Sequence, residues 1–86
     1  MKEKDIFSAL TCEWRLKILD ILREGEKCQC EIVKNIPLDP TTLSRHISVL
    51  KRAGILEERK MGRNKVLRVR DERIFQIIDL ARGMIG

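Results

Sequence analysis

From Glu13 to Gly25 the chain reads EWRLKILDILREG, with apolar residues at Leu16, Ile18, Leu19, Ile21 and Leu22. These fall at helical spacing but cover more than one stripe, which predicts a helix buried on most sides. Gly25 stops it. A short second helix is expected over about residues 28–35, because Pro37 forbids its continuation. The segment IPLDP then reads as a turn, with Asp39 suited to cap a new helix and Pro40 suited to open it. In the third helix, PTTLSRHISVLKRAG, steps of about 100° gather Leu43, Ile47 and Leu50 into one core stripe. The same steps bring Thr41, Ser44, Arg45, Ser48 and Arg52 together on a polar, cationic face. Gly54 ends this helix.

Beyond it, ILEERKMGRNKVLRVR alternates loosely, predicting two short strands over about 55–60 and 65–70 with MGRN as a hairpin turn. The closing stretch DERIFQIIDLARGMIG reads as a helix with an apolar stripe of Ile74, Ile77, Ile78, Ala81 and Ile85. No further element remains to cover that stripe, so it is expected to be a dimer face. The fold class that follows is mainly α with a small β-hairpin. Two helices joined by a tight turn, the second with a cationic face, make a helix-turn-helix, and the basic hairpin after them makes its wing. One winged helix-turn-helix domain is expected over residues 1–86, with the helix-turn-helix at about 28–54, the wing at about 55–70 and a dimerisation helix at about 72–85.

Charge sharpens this picture. The net +5 is unevenly spread: residues 40–70 hold nine Lys and Arg against two Glu, a net +7, while each flank carries −1. Cation confined to one third of the chain points to double-stranded nucleic acid as the partner. A protein-binding winged helix is the reading this charge opposes. One histidine, no glycine-rich phosphate loop and no paired acids argue against an enzyme. No apolar run approaches the roughly 18 residues a membrane span needs, and the first ten residues lack a secretory pattern. The expected location is therefore cytoplasmic, with thiols reduced. At 86 residues the core is marginal, and dimerisation would enlarge it.

The three cysteines are too few for a disulfide framework. Two of them, in GEKCQCEIVKN, stand one residue apart at Cys28 and Cys30. That spacing is not expected to form a disulfide. In a regular helix the two side chains point about 200° apart, so one ligand reaches both only where the backbone is not fully helical. His46 lies beside the core stripe and reads as a packing or capping residue, Trp14 as core or dimer filling, and Met61 as a wing tip.

The segments ALTCEWRLKILDILREGEKCQCEIV and LDPTTLSRHISVLKRAGILEERKMGRNKVLRV resemble the ArsR/SmtB family of winged-helix repressors, over about residues 9–69. The resemblance implies a homodimer built through the terminal helices and an inverted-repeat DNA operator, with no cofactor required for DNA binding. It implies DNA reading by Thr41, Thr42, Ser44 and Arg45, with Arg63 and Lys65 in the wing; Ser48 and Arg52 join them from the helical wheel. KCQCEI resembles the Cys-x-Cys box of the family's arsenic- and cadmium-sensing branches. Thiolates there select soft, thiophilic ions. The implied inducer is arsenite or antimonite, or a soft divalent metal such as cadmium or lead. Its binding should distort the first turn of the helix and displace the helix that supports the recognition helix. The alternative is a winged-helix regulator whose cysteines respond to redox state or serve only structure.

Three departures from the family pattern stand out. Glu26 and Lys27 precede Cys28 where Glu-Leu is usual. No third cysteine follows within the same helix. The last helix has Asp71, Glu72 and Asp79 nearby but no histidine, which disfavours a zinc, nickel or cobalt site there. Cys12 is either a third ligand, from the same subunit or across the dimer, or a buried structural thiol.

Overall fold

The computed structural model describes residues 2–85. Its elements in chain order are α1 (Glu3–Ala9), α2 (Glu13–Ile21) continued by a 3₁₀ turn (Leu22–Glu24), β1 (Lys27–Cys28), α3 (Gln29–Asn35), α4 (Pro40–Arg52), β2 (Leu56–Met61), β3 (Asn64–Val69) and α5 (Arg73–Gly83). This is the expected winged helix-turn-helix, with two elements the pattern did not announce. α1 is two turns long and buries only Ala9, so it carries almost no periodic signal. β1 is two residues long and exists because β3 offers it a partner.

Helix α4 is defined at both ends by local chemistry. The Asp39 carboxylate accepts the Thr42 backbone N–H at 3.1 Å and the Thr42 hydroxyl at 2.6 Å, and Pro40 opens the first turn. Those bonds hold the exposed Asp39 carboxyl below its ordinary range, the Thr42 side chain first among the causes. At the other end Gly54 turns to φ 77°, its N–H returns to the Lys51 carbonyl, and the Ile55 N–H reaches the Leu50 carbonyl. That pair of bonds is a Schellman cap, completed by burial of both Leu50 and Ile55.

Leu43, Ile47 and Leu50 form the buried stripe of α4, as the wheel requires. They meet Ile18 and Leu19 of α2, Ile32 of α3 and Leu67 of β3 in one core. The sheet has the order β1-β3-β2, antiparallel throughout, so the second strand of the wing is central. Met61 faces Asn64 across a two-residue turn, with Gly62 at φ 63°. A positive φ at the first central residue is the geometry of a type II′ hairpin turn.

α5 corrects one expectation. Ile74 and Ile78 are not a free dimer face: they are buried in the subunit's own core, with Ile77 and Phe75 half-buried beside them. α5 lies against α2, held there by the paired charges Arg23–Asp79 and Arg82–Asp20. The apolar surface left over is Phe7 on α1 with Leu80, Met84 and Ile85 at the chain's end, exposed to 57%, 73%, 87% and 86%. Ala81 is exposed among them.

Candidate nucleic-acid interface and thiol site

Thr41, Ser44, Arg45, Ser48 and Arg52 line one shallow groove along the outer side of α4, with Pro40 and Val49 at its edges. Thr42 does not join them. Its hydroxyl and N–H are both spent on Asp39, so its place is the cap of the helix and not the groove. The groove is open, and between Arg45 and Arg52 the small Thr41, Ser44 and Ser48 leave room for another backbone or a base edge to come close to α4.

Nine basic residues crowd the middle of the chain, but four of them face carboxylates, two sharing Glu57. Lys51 binds Glu58 at 3.0 Å, Arg68 binds Glu57 at 2.9 Å, Arg70 lies 3.7 Å from Glu57, and Arg59 pairs with Glu26. Among the described residues, Arg45, Arg52, Lys60, Arg63 and Lys65 have no acidic partner. These five occupy two places: the α4 groove and the end of the hairpin. Lys60 stands directly opposite Lys65 in the ladder. Like charges facing across a strand pair repel, and a passing phosphate would relieve both. Lys60 is a candidate the sequence reading omitted. A two-residue turn at Gly62 would have fixed the register and exposed the Lys60–Lys65 pair.

The cysteines lie at the other end of the helix-turn-helix. Cys28 is extended (φ −62°, ψ 140°) and serves as the N-cap of α3, its sulfur accepting the Cys30 N–H at 3.3 Å. The two Cα atoms are 5.2 Å apart and the sulfurs are brought against one another. Their meeting differs from the divergence that a regular helix would give. The reason is the one that the spacing itself suggested: Cys28 is not helical, so its side chain turns to the side that Cys30 faces. Cys28 is half-buried and Cys30 exposed.

Cys12 is not brought to this pair. It is the N-cap residue of α2 and lies against α4, its sulfur 3.9 Å from His46 Nδ1. Among the described residues no three His, Cys, Asp or Glu side chains converge as a metal site. Within one subunit the sulfurs of Cys28 and Cys30 adjoin and that of Cys12 stands apart.

Arg15, which carried no role in the sequence reading, organises the Cys12 corner. It donates to the Ala9 carbonyl at 2.6 Å and to His46 Nδ1 at 3.2 Å. The second bond assigns the imidazole proton to Nε2. Burial, then the Arg15 charge, lower the His46 pKa.

Residues 12–58 match the family described as bacterial regulatory protein, arsR family. The chain is 38% identical, over 92% of its length and 90% of the relative's, to an uncharacterized HTH-type transcriptional regulator of Methanocaldococcus jannaschii. It is 35% identical to a cadmium resistance transcriptional regulatory protein CadC homolog of Staphylococcus aureus, over 88% of this chain and 64% of that one. It is 40% identical to an arsenic resistance transcriptional regulator of Pseudomonas putida, over 66% of this chain and 45% of that one. The chain thus spans nearly all of the first relative and about two thirds or less of the other two. Among solved structures, the homodimeric winged helix-turn-helix DNA-binding domain of a possible ArsR-family regulator from Mycobacterium bovis superposes with a TM-score of 0.84. That match has 28% identity and covers 95% of this chain and 76% of that one.

Proposed function

The chain belongs to the arsR family of bacterial regulatory proteins, and on that premise we propose that it is a DNA-binding repressor released by a thiophilic ion held at Cys28 and Cys30. Two copies grip an inverted-repeat operator. Arg45, with Thr41, Ser44 and Ser48, faces the base edges of the major groove, where a mid-helix arginine can pair bidentately with guanine. Arg52, Lys60, Arg63 and Lys65 meet the phosphates and fix the register. Thr42 contributes by holding the start of α4 in shape.

The observation that carries the inducible part is the meeting of two sulfurs at the first turn of the helix-turn-helix. Two thiolates suit arsenite, antimonite or cadmium, which are soft, and not magnesium or calcium. Cys28 is also the cap of α3, so displacement of its sulfur is displacement of the helix start. With two sulfurs in one subunit, Cys12 becomes a ligand only if a second subunit or a rearrangement delivers it. The names of the cadmium and arsenic resistance relatives support the same class of inducer.

The contact between the sulfurs favours a second reading. Cys28 and Cys30 can lose two protons and two electrons to a peroxide, forming the S–S bond as the peroxide becomes two waters. The regulator would then answer oxidation.

One titration separates the two. Reduced protein is bound to the DNA upstream of its own gene, then challenged with arsenite, cadmium, zinc and, separately, peroxide. Release by arsenite or cadmium under reducing conditions, abolished in Cys28→Ser, is the expected result. Release by peroxide alone transfers the function to redox sensing. Unchanged binding under every challenge removes the cysteines from regulation.

A further inference from the structure

We infer that the cysteine pair acts on DNA through the wing, not through the recognition helix, and that Glu26 and Arg59 are the residues that transmit its state. This rests on the regulatory reading above and says which DNA-contacting element answers it.

The packing separates the two candidate routes. α4 packs chiefly against α2 and β2, and its ends are fixed by Asp39 and by the Gly54 cap. α3 packs against β3. The buried Ile32 of α3 and Leu67 of β3 belong to the same core cluster. Cys28 itself lies in the ladder: it stands opposite Val66 of β3, and Lys27 stands opposite Leu67. On the far side of β3, Arg59 of β2 is opposite the same Val66. Residues directly opposite one another share a face of the sheet. Cys28, Val66 and Arg59 therefore form one row across all three strands. Glu26, two residues before Cys28, closes the row by pairing with the Arg59 guanidinium. The segment bearing the thiols is thus tied to both strands of the wing, by backbone pairing to β3 and by an ion pair to β2.

Lys65 of β3 immediately precedes Val66, and Arg63 stands two residues before Lys65 in the hairpin turn. Any shift of Cys28 that follows ligation or oxidation moves β1, and β1 moves the strand that carries Lys65 and its turn with Arg63. No residue of the α4 groove stands in that row, and α4, though it packs on β2, is held at both ends by its own caps. The induced protein should lose wing contacts to phosphates while keeping its base preference.

The test uses the full chain. DNA affinity is measured against salt concentration and against a set of single-base operator variants, for reduced protein with and without arsenite and for peroxide-oxidised protein. Each phosphate contact contributes roughly 0.9 to the slope of log affinity against log salt. Loss of the Arg63 and Lys65 contacts in both subunits should lower the slope by about 3.6, with discrimination among the base variants retained. In the doubly substituted Arg63→Ala, Lys65→Ala protein, the effector that releases the wild type should change affinity less than about twofold. Glu26→Gln should bind DNA when reduced but respond at least several-fold more weakly, and exchanging the pair (Glu26→Arg with Arg59→Glu) should restore the response. Amide hydrogen exchange supplies a readout without DNA: protection should fall across residues 64–69 on effector treatment and stay constant across 43–52. Loss of protection in α4 with β3 unchanged would overturn the wing route, as would a full response in the doubly substituted wing variant. If neither arsenite nor peroxide alters wild-type affinity, the regulatory reading fails and takes this inference with it.

Discussion

Arg45 stands mid-way along the exposed side of α4, beside two serines and with no carboxylate among the described residues to answer its charge. Its removal should do something different from removal of a wing cation. Arg45→Ala should cost about 1–3 kcal/mol of operator binding and relax preference at one base position, because a base-edge contact is lost. Lys65→Ala should weaken all sequences by a similar factor and flatten the salt slope by about 2, one contact from each subunit, because a phosphate contact carries no sequence information. A binding titration over single-base operator variants reads both. Equal loss on every variant for Arg45→Ala would remove it from the base edges. The helical wheel identified Arg45 because a period of 3.6 fixes which residues share a face. The charge count over residues 40–70 could not separate Arg45 from Lys51 or Arg59. Their neutralisation depends on Glu58 and Glu26 arriving from other elements, and only the folded chain sets that. Thr42, which came from the family resemblance and not from the wheel, is tied to Asp39, three residues earlier, through its hydroxyl, a contact the resemblance does not record.

At the scale of elements, the joint between α2 and α4 is set by Arg15 and His46. Arg15 holds the end of α1 through the Ala9 carbonyl and the side of α4 through His46 Nδ1. Only an unprotonated Nδ1 can accept that bond. Burial and the Arg15 charge lower the His46 pKa from its ordinary 6.5, so the folded protein binds fewer protons than the unfolded chain. The stabilisation is complete above pH 6.5 and is lost as pH falls through the lowered folded value. Urea unfolding followed from pH 8 to pH 5 should show stability falling on the acid side, and His46→Gln should flatten that limb. A limb of unchanged height in His46→Gln would assign it to another group. The charges tying α5 to α2 respond in a lower window. Asp20 is held below its ordinary 3.8, first by its bond to Arg82, so that joint weakens only as pH drops below about 4. The long elements were legible because each has a periodic stripe and a marked end. α1 and β1 were not, since two turns and two residues hold too little pattern. Yet β1 is what connects the cysteines to the wing.

For the whole molecule, the unpaired face is the remaining physical problem. Phe7, Leu80, Met84 and Ile85 leave a mostly apolar surface at the outer ends of α1 and α5, beside a groove lined by Ile6, Ile55, Ile74 and Ile77. The sequence reading placed the dimer face on α5 but drew it one stripe too far inward. Ile74 and Ile78 point into the core because α5 must first cover its own subunit, and only the last turn remains for a partner. The neighbour from Mycobacterium bovis is homodimeric, and a second copy of this chain packed on these residues would bury their apolar surface. The two α4 helices would have to lie roughly one DNA turn apart, about 34 Å, to meet successive major grooves. Met84→Glu places a charge in that contact without touching the core, the groove or the cysteines, since Met84 is exposed and follows the end of α5. Sedimentation should show a monomer. The monomer should bind a single half-site as the wild type does, with Arg45 still reading its base. It should lose about 10²–10⁴-fold on the full inverted repeat, because the second half-site contact is no longer intramolecular. If Met84→Glu sediments as a dimer and retains full operator affinity, the subunits meet elsewhere. If it sediments as a monomer and retains that affinity, one subunit suffices, and the inverted repeat is not the operator's form.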